Sequence, residues 1–251
     1  MVGFIGLGIM GKPMVKNLLS AKYDVLVYDI VRDAARTLET AGAVAADISE
    51  IGDRCDVIFL SLPSGSIVQS VLFGEDNLSS YLHKGTVIAD TSSITPAESR
   101  FCFSKLSKTG IGYVDCPVSG GEAGAVNGTL AFMVGGLQRD FVKLKPYFQA
   151  LGNSAIWIGK SGSGSIAKLA NQVIVNVTIA AVSEALVLIE ILVREGVPIN
   201  ATEVMSVRQA LDVCDAISPE EYEDFGPVVK FRTMFEDSWE SARNAIAGYR
   251  S

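Results

Sequence analysis

The sequence predicts an α/β protein in which a doubly wound, mainly parallel sheet is followed by a smaller all-α domain. Over residues 1–160, short apolar runs alternate with segments of helical length. The runs are almost continuously apolar, which is typical of parallel strands covered by helices on both faces. After GKSGSGS at 159–165 only helical patterns follow. We therefore assign residues 1–160 to the first domain and residues 161–251 to the second.

The elements follow from this alternation. The predicted strands are residues 2–6, 24–29, 56–62, 86–90, 111–116, 130–136 and 155–159. The predicted helices of the first domain include residues 11–21, 32–41, 96–108 and 139–150. The third of these has a marked beginning, because Thr95 and Glu98 have capping-box spacing around Pro96. A long interdomain helix, from about residue 165 to residue 195, opens the second domain.

Composition restricts the classes of function. The chain has 251 residues, of which 49% are hydrophobic and 20% charged, so we expect a packed core. The net charge of −7 argues against a nucleic-acid partner, because binding a phosphate backbone requires a basic surface. A small anionic ligand remains compatible with this charge, since one site needs only local positive potential.

Cysteine and histidine usage predicts no metal site. Cys55, Cys102, Cys116 and Cys214 lack metal-binding spacing and are expected to be buried thiols in a reducing compartment. The single histidine, His83, is expected in a surface loop. The sequence becomes strand-like from residue 3, with no basic leader, so we expect no signal peptide and a cytoplasmic protein.

Residues 173–193 are apolar over a length that could span a membrane. Glu184, Glu190 and Asn176 lie within this stretch, and carboxylates at bilayer depth would be costly. We therefore expect no membrane partner, and a helix buried between packed neighbours.

The segment VGFIGLGIMGKPM carries a phosphate-binding motif. Gly6, Gly8 and Gly11 have GxGxxG spacing directly after the first strand and at the start of a helix. Such a helix N-terminus offers N–H groups to a pyrophosphate. Asp29 ends the second strand. An acidic residue at this place accepts hydrogen bonds from the adenosine ribose hydroxyls and repels a 2′-phosphate. The motif favours NAD, with NADP as the alternative because Arg32 lies close by.

Lys168, in GSGSIAKLANQ, precedes the apolar stretch. On a helix, Lys168, Asn171 and Gln172 share one face because they are at i, i+3 and i+4. Taken alone, this lysine is either a solvated charge at a helix start or a proton donor directed into a cleft. Hydride transfer to a carbonyl develops negative charge on oxygen, and an ammonium group, protonated at neutral pH, can neutralise it.

Three motifs together resemble the β-hydroxyacid dehydrogenase family, which includes 3-hydroxyisobutyrate dehydrogenases, tartronate semialdehyde reductases and glyoxylate reductases. They are the glycine motif, DCPVSGGEAGAVNGTLAFMVGG at 115–136 and GSGSIAKLANQ at 162–172, and the resemblance extends to about residue 205. It implies a Rossmann-like first domain, a helical second domain, an active site in the cleft between them, and a homodimer or homotetramer.

The resemblance also implies residue roles. Lys168 would be the catalytic residue, with Asn171 as its polar neighbour at the substrate. Cofactor contacts would come from Gly6, Gly8, Ile9, Met10, Gly11, Asp29, Leu62, Pro63 and Ser93. The carboxylate of a small hydroxyacid or semialdehyde would be bound by Ser119, Gly120 and Gly121, with Gln172 also at the substrate.

Within the family the motifs look most like a tartronate semialdehyde reductase (2-hydroxy-3-oxopropionate reductase), which reduces tartronate semialdehyde to glycerate. The alternatives are a 3-hydroxyisobutyrate dehydrogenase, a glyoxylate or succinic semialdehyde reductase, and a non-enzymatic NAD(H) sensor or scaffold. The resemblance fades after Val207, and the expected later lysine is missing from FRTMFEDSWESARNA at 231–245, which has Glu236 and Asp237 instead. We expect this shorter region to weaken cofactor closure, oligomerisation or both.

Overall fold

The computed structural model describes residues 1–75 and 77–194. The chain divides into two compact units, Met1–Asn171 and Gln172–Ser251. Several sequence predictions lie outside the described residues: Cys214, the later helices of the all-α domain, and Glu236 and Asp237 in 231–245.

A mixed, mostly parallel sheet forms the centre of the first unit, with nine strands among the described residues. They are β1 (Val2–Ile5), β2 (Val25–Tyr28), β3 (Val44–Ala45), β4 (Val57–Leu60), β5 (Val87–Asp90), β6 (Gly112–Asp115), β7 (Val118–Ser119), β8 (Leu130–Gly135) and β9 (Gly152–Gly159). Their order is β3-β2-β1-β4-β5-β6-β8-β7, with β9 beside β8. Only the pairs that β8 forms with β6 and β7 are antiparallel among these strands.

Helices connect most of these strands. They are α1 (Gly11–Ser20), α2 (Arg32–Glu39), α3 (Ile48–Arg54), α4 (Gly65–Phe73), α5 (Pro96–Ser107), α6 (Gly121–Asn127), α7 (Gln138–Leu151) and α8 (Ser163–Arg194). The strand order reverses between β1 and β4, which lie side by side although β2 and β3 separate them in sequence. In open α/β sheets, the crevice at such a switch point is where ligands bind.

The core has one apolar layer on each face of the sheet. Phe4 and Phe59 belong to the layer that contains α1 and α7 residues. Their neighbours Ile5 and Ile58 belong to the opposite layer, with residues of α4 and α5. The side chains of Phe4 and Phe59 stack across adjacent strands at 5.8 Å between ring centroids. Burial on both faces confirms the predicted doubly wound α/β fold.

The sequence patterns miss the shortest elements. The strands β3 and β7 have two residues each, too few to show an alternation. The helix α6 is short and glycine-rich, and α4 (GSIVQSVLF) is short and mostly apolar, with only Ser66, Gln69 and Ser70 on its polar face. The longer predicted elements are confirmed, with ends that shift by a few residues.

The helix α8 begins two residues earlier than expected, at Ser163. The division between the compact units falls within it, after Asn171, whereas the sequence places the boundary before the helix. In the apolar 18-residue window of Ser163–Ala185 only 6% of the residues are buried, so the prediction of a buried helix is wrong for the single chain. The hydrophobicity of a helix indicates that its apolar side chains are to be buried. The sequence of the helix does not show whether the same chain or another molecule buries them. The exposed side chains include Ile166, Leu169, Val173, Ile174, Val177 and Ile179.

By length and hydropathy, Ser163–Ala185 also qualifies as a membrane span. This is weak evidence, because apolar helices of soluble proteins pass the same test.

The start of α5 has the predicted capping box. The Thr95 hydroxyl oxygen accepts the Glu98 N–H at 3.2 Å. In return, the Glu98 carboxylate accepts the Thr95 N–H at 2.8 Å. Two backbone donors of the first turn are thereby satisfied.

We expect Thr95→Ala to lower the free energy of unfolding by about 1 kcal/mol, because the Glu98 N–H loses its acceptor. Thr95→Ser keeps the hydroxyl and should unfold close to the parent protein. Urea unfolding followed by circular dichroism measures both. Equal midpoints for the alanine and serine variants would contradict a stabilising role for the cap.

Candidate functional site

A glycine turn links β1 to α1. Gly6 has φ +96°, and a side chain there would collide with the Ser61 carbonyl at the end of β4. A side chain at Gly11 would collide with the Gly6 carbonyl. At Gly8, by contrast, a Cβ would have no neighbour within 4 Å among the described residues. The turn is therefore closed towards the protein and open at Gly8, as close approach of a pyrophosphate requires.

The N-terminus of α1 is also open. Met10 is its N-cap residue, and no side chain in the described part of the chain caps it. Ile9, in the turn, is 71% exposed. The Lys12 N–H already donates to the Gly8 carbonyl at 3.2 Å and Pro13 has no N–H, so this helix start attracts an anion chiefly through the positive end of its dipole. The turn and the helix start thus fit the diphosphate of a dinucleotide.

Asp29 follows β2 and joins it to the glycine turn. One carboxylate oxygen accepts the Leu7 N–H at 2.6 Å, and the other accepts the Val31 N–H at 2.8 Å. Each carboxylate oxygen retains a further lone pair. Asp29 can therefore accept ribose hydroxyls while it fixes the turn, a structural role that the sequence motif did not reveal.

A cleft of about 230 Å³ lies beside Asp29, between α2 and α3. Its arginines are paired: Arg32 with Asp47 at 3.5 Å, and Arg36 with Asp33 at 3.3 Å. The charged residues lining it are two arginines and four carboxylates: Arg32, Arg36, Asp29, Glu39, Asp47 and Glu50. This excess of negative charge disfavours a 2′-phosphate.

The carboxyl ends of β4 and β5 are joined through a chain of hydrogen bonds. The Leu62 N–H donates to the Ser92 hydroxyl at 2.9 Å. The Ser92 N–H donates to Asp90 at 2.9 Å, and the Tyr113 hydroxyl donates to the other Asp90 oxygen at 2.6 Å. Burial raises the pKa of Asp90 to about 6, against the opposing effect of the Ser92 and Tyr113 bonds.

These bonds place the predicted cofactor residues along one edge of the sheet. The strands β2, β1, β4 and β5 are neighbours and run parallel, so their carboxyl ends lie side by side. Asp29, the glycine turn, Leu62 and Pro63 follow three of these ends. Ser93 is exposed in the loop after the fourth.

The predicted carboxylate-binding turn lies between β7 and α6. Ser119 ends β7 and is half-buried, while Gly120 and Gly121 are exposed. The Asn17 side chain of α1 donates a hydrogen bond to the Ala125 carbonyl of α6 at 2.7 Å. The helix that follows this turn is therefore attached to the helix that follows the glycine turn.

Lys168 is half-buried near the start of α8, and burial lowers the pKa of its amine. The start of this helix is bonded to Asp115, which ends β6, the neighbour of β5. The start of α8, which carries Lys168 one turn further on, thus lies at the same sheet edge. Asn171 ends the first unit, and Gln172 is the first residue of the second.

The sequence analysis missed the buried polar residues that connect these loops: Asp90, Ser92, Asp115 and Ser165. A signal was present, because the apolar strands that contain TVIAD and YVD each end in an aspartate. In residues 1–75 and 77–194, no group of three or more potential metal ligands occurs.

The family comparison agrees with this geometry. Residues 1–159 match the model of the NAD-binding domain of 6-phosphogluconate dehydrogenase. The match covers the glycine turn and the strand ends of that edge, and it ends before α8 and Lys168. It confirms the predicted nicotinamide dinucleotide cofactor.

Individual relatives carry several enzyme names. The chain is 43% identical to a 2-hydroxy-3-oxopropionate reductase of Escherichia coli, over 74% of this chain and 63% of that protein. It is 38% identical to a 2-(hydroxymethyl)glutarate dehydrogenase of Eubacterium barkeri, over 74% and 62% of the two chains. These matches therefore span less than two thirds of the relatives' own lengths.

A solved structure shares the fold. The 3-hydroxyisobutyrate dehydrogenase of Mycobacterium tuberculosis, determined with L-serine, superposes with a TM-score of 0.74 at 23% identity, and 94% of each chain is covered. This likeness shows a shared fold. By its NAD-binding domain and by the relatives that it matches in sequence, the chain belongs to the β-hydroxyacid dehydrogenase family.

Proposed function

We propose that this chain transfers hydride reversibly between a nicotinamide dinucleotide and a small β-hydroxyacid or its semialdehyde. The observation that carries the proposal is the half-buried Lys168, on a helix bonded to the same sheet edge as the glycine turn. The 43% identity to a 2-hydroxy-3-oxopropionate reductase favours tartronate semialdehyde as the substrate and glycerate as the product.

The dinucleotide, when bound, supplies the hydride. In this proposal the turn formed by Gly6, Gly8, Ile9, Met10 and Gly11 binds its diphosphate. Asp29 accepts the adenosine ribose hydroxyls, and the negative charge around it favours NAD over NADP. Leu62, Pro63 and Ser93 border the nicotinamide half.

The substrate carboxylate binds at the turn before α6. The Ser119 hydroxyl and the backbone N–H groups of Gly120 and Gly121 supply hydrogen-bond donors there. Such a turn binds an anion without an arginine. Gln172 contributes a further polar group to the substrate.

Lys168 donates the proton. Its ammonium group neutralises the negative charge that develops on the carbonyl oxygen as hydride reaches the carbon. In the reverse direction a neutral amine must accept the hydroxyl proton, and burial favours that form by lowering the amine pKa. Asn171 orients the ammonium or the substrate hydroxyl.

We also propose a cytoplasmic homodimer or homotetramer, with no membrane or nucleic-acid partner. The exposed apolar side chains of α8, such as Val173, Ile174 and Val177, support the oligomer, because an uncovered apolar helix favours association.

The substrate assignment is tested by following oxidation of NADH and NADPH with tartronate, methylmalonate and succinic semialdehydes and with glyoxylate. We expect the highest kcat/KM with NADH and tartronate semialdehyde. A highest value with methylmalonate semialdehyde would instead identify a 3-hydroxyisobutyrate dehydrogenase. Measurable NADH binding without turnover of any compound would favour the sensor or scaffold.

We expect Lys168→Ala to lower kcat at least about 100-fold, because the developing oxyanion loses its proton donor. The Kd for NADH should stay within about twofold, since the cofactor contacts lie elsewhere. Lys160→Ala is the matched control, because Lys160 is an exposed lysine just before α8. Parent-like turnover by Lys168→Ala would refute the catalytic assignment.

Asp29→Asn should weaken NADH binding about tenfold, because an amide is a poorer acceptor for ribose hydroxyls than a carboxylate. NADPH binding should weaken less, since repulsion of the 2′-phosphate is also removed. Fluorescence titration with both cofactors gives the ratio of the two Kd values. Asp53→Asn controls for net charge, because Asp53 is exposed on α3 and does not line the cleft beside Asp29. An unchanged ratio in Asp29→Asn would exclude Asp29 as the selectivity residue.

A further inference from the structure

Asp115 is a buried carboxylate to which the proposed chemistry assigns no role. It ends β6 and is 1% exposed. One of its oxygens accepts the Gly162 N–H at 2.7 Å, and the other accepts the Ser165 N–H at 2.9 Å. Both donors belong to the start of α8, so the carboxylate connects this helix to the sheet.

The bonds are suited to fixing a helix start. N–H groups in the first turn of a helix have no partner within the helix. A carboxylate at this end also interacts favourably with the helix dipole. Ser165 lies in the first turn, which begins at Ser163, and Gly162 directly precedes that turn. The first turn of α8 is therefore held by a carboxylate at the end of β6.

Close packing leaves this first turn little freedom to move. Gly135 pairs with Asp115 across β8 and β6. A Cβ at Gly135 would lie 2.7 Å from the Gly164 nitrogen, and one at Gly164 would collide with the carbonyl oxygens of Met133 and Asp115.

The first turn of α8 also contacts the helix α5. The Ser165 hydroxyl lies 2.8 Å from the Ser99 hydroxyl, and both residues are buried. The first turn of α8 is thus bonded to both the sheet and a helix that covers it.

Lys168 follows Ser165 by three residues, which is slightly less than one helical turn. Because the helix backbone is continuous, the position of Ser165 largely determines the position of the Lys168 backbone. A displacement of about 1 Å at a catalytic group can cost about 100-fold in rate. The attachment of this turn is therefore a condition for the placement of the ammonium group.

We propose that Asp115 is a positioning residue: its carboxylate fixes the first turn of α8 and so determines where Lys168 presents its ammonium group. This inference rests on the proposed role of Lys168 as proton donor. Asp115 itself touches neither substrate nor cofactor in this arrangement. Its effect on turnover passes through Gly162 and Ser165.

The test compares Asp115→Asn with Asp140→Asn in the full chain. Asparagine has the size of aspartate but only one acceptor oxygen. Its NH₂ group would face one of the two backbone N–H donors, so that one hydrogen bond is lost. Asp140 is a matched control, because it is also buried and packs beside Gly112 at the opposite end of β6. One of its carboxylate oxygens has no hydrogen-bond partner among the described residues.

We expect Asp115→Asn to lower kcat at least about tenfold per NADH-binding site, because the lysine is displaced. The Kd for NADH should stay within about twofold in both variants, and Asp140→Asn should keep kcat within about twofold. A merely structural role would lower the folded fraction but leave turnover per NADH-binding site unchanged. That result, or an equal loss in both variants, would overturn the proposal.

Hydrogen–deuterium exchange supplies a readout independent of activity. In Asp115→Asn, backbone amides of residues 162–168 should lose protection, while in Asp140→Asn they should keep it. If the parent protein turns over none of the compounds tested, the proposed function fails, but exchange still decides whether Asp115 fixes this turn. Unchanged protection in Asp115→Asn would refute the anchoring itself.

A second pair of variants keeps the test valid if Asp115→Asn does not fold. Ser165→Ala and Ser165→Pro both lose the hydroxyl contact with Ser99. Only proline also removes the N–H that binds Asp115, and proline is tolerated in the first turn of a helix. We expect kcat to be about tenfold lower for proline than for alanine. Equal kcat values would count against the proposal.

Discussion

Carboxylates at the ends of buried strands determine how the loops of the candidate site are arranged. Asp29 follows β2 and accepts a hydrogen bond from the glycine turn. Asp90 ends β5 and accepts one from Ser92, while Asp115 ends β6 and accepts two from the start of α8. Parallel strands finish at the same edge of the sheet, so these bonds fix neighbouring loops relative to each other. The arrangement of the candidate residues depends on this constraint.

Charge and loop conformation depend on each other at this edge. Burial raises the pKa of both Asp90 and Asp115. Hydrogen bonds from Ser92 and Tyr113 to Asp90, and from the start of α8 to Asp115, oppose this effect. A buried carboxylate is stable as an anion only when donors face it. These donors therefore stabilise the ionised form of each carboxylate, and each carboxylate in turn holds the segment that donates to it.

Some parts of the candidate site could be predicted because their residues lie close together in the sequence. Other parts could not, because their residues lie far apart in the sequence. Gly6, Gly8 and Gly11 lie within six residues, so their motif could be recognised, and Asp29 follows from the length of one βα unit. Asp115, in contrast, bonds to residues 47 and 50 positions away. No short pattern contains such a pair. The sequence showed an acidic residue at a strand end, but the tertiary fold determines its partner.

Asp29 holds the glycine turn and, in the proposed function, also selects the cofactor, and this combination restricts how cofactor preference can change in evolution. Replacing this residue would remove a repulsive charge, but it would also take an acceptor away from Leu7 and Val31 in the backbone around it. A lineage turning to the phosphorylated cofactor would thus weaken its own binding turn. Arg32 and Asp47 are paired at the surface, where side chains can be exchanged with little structural consequence. Adaptation to the other cofactor should therefore begin at this surface pair, with Asp29 retained longest.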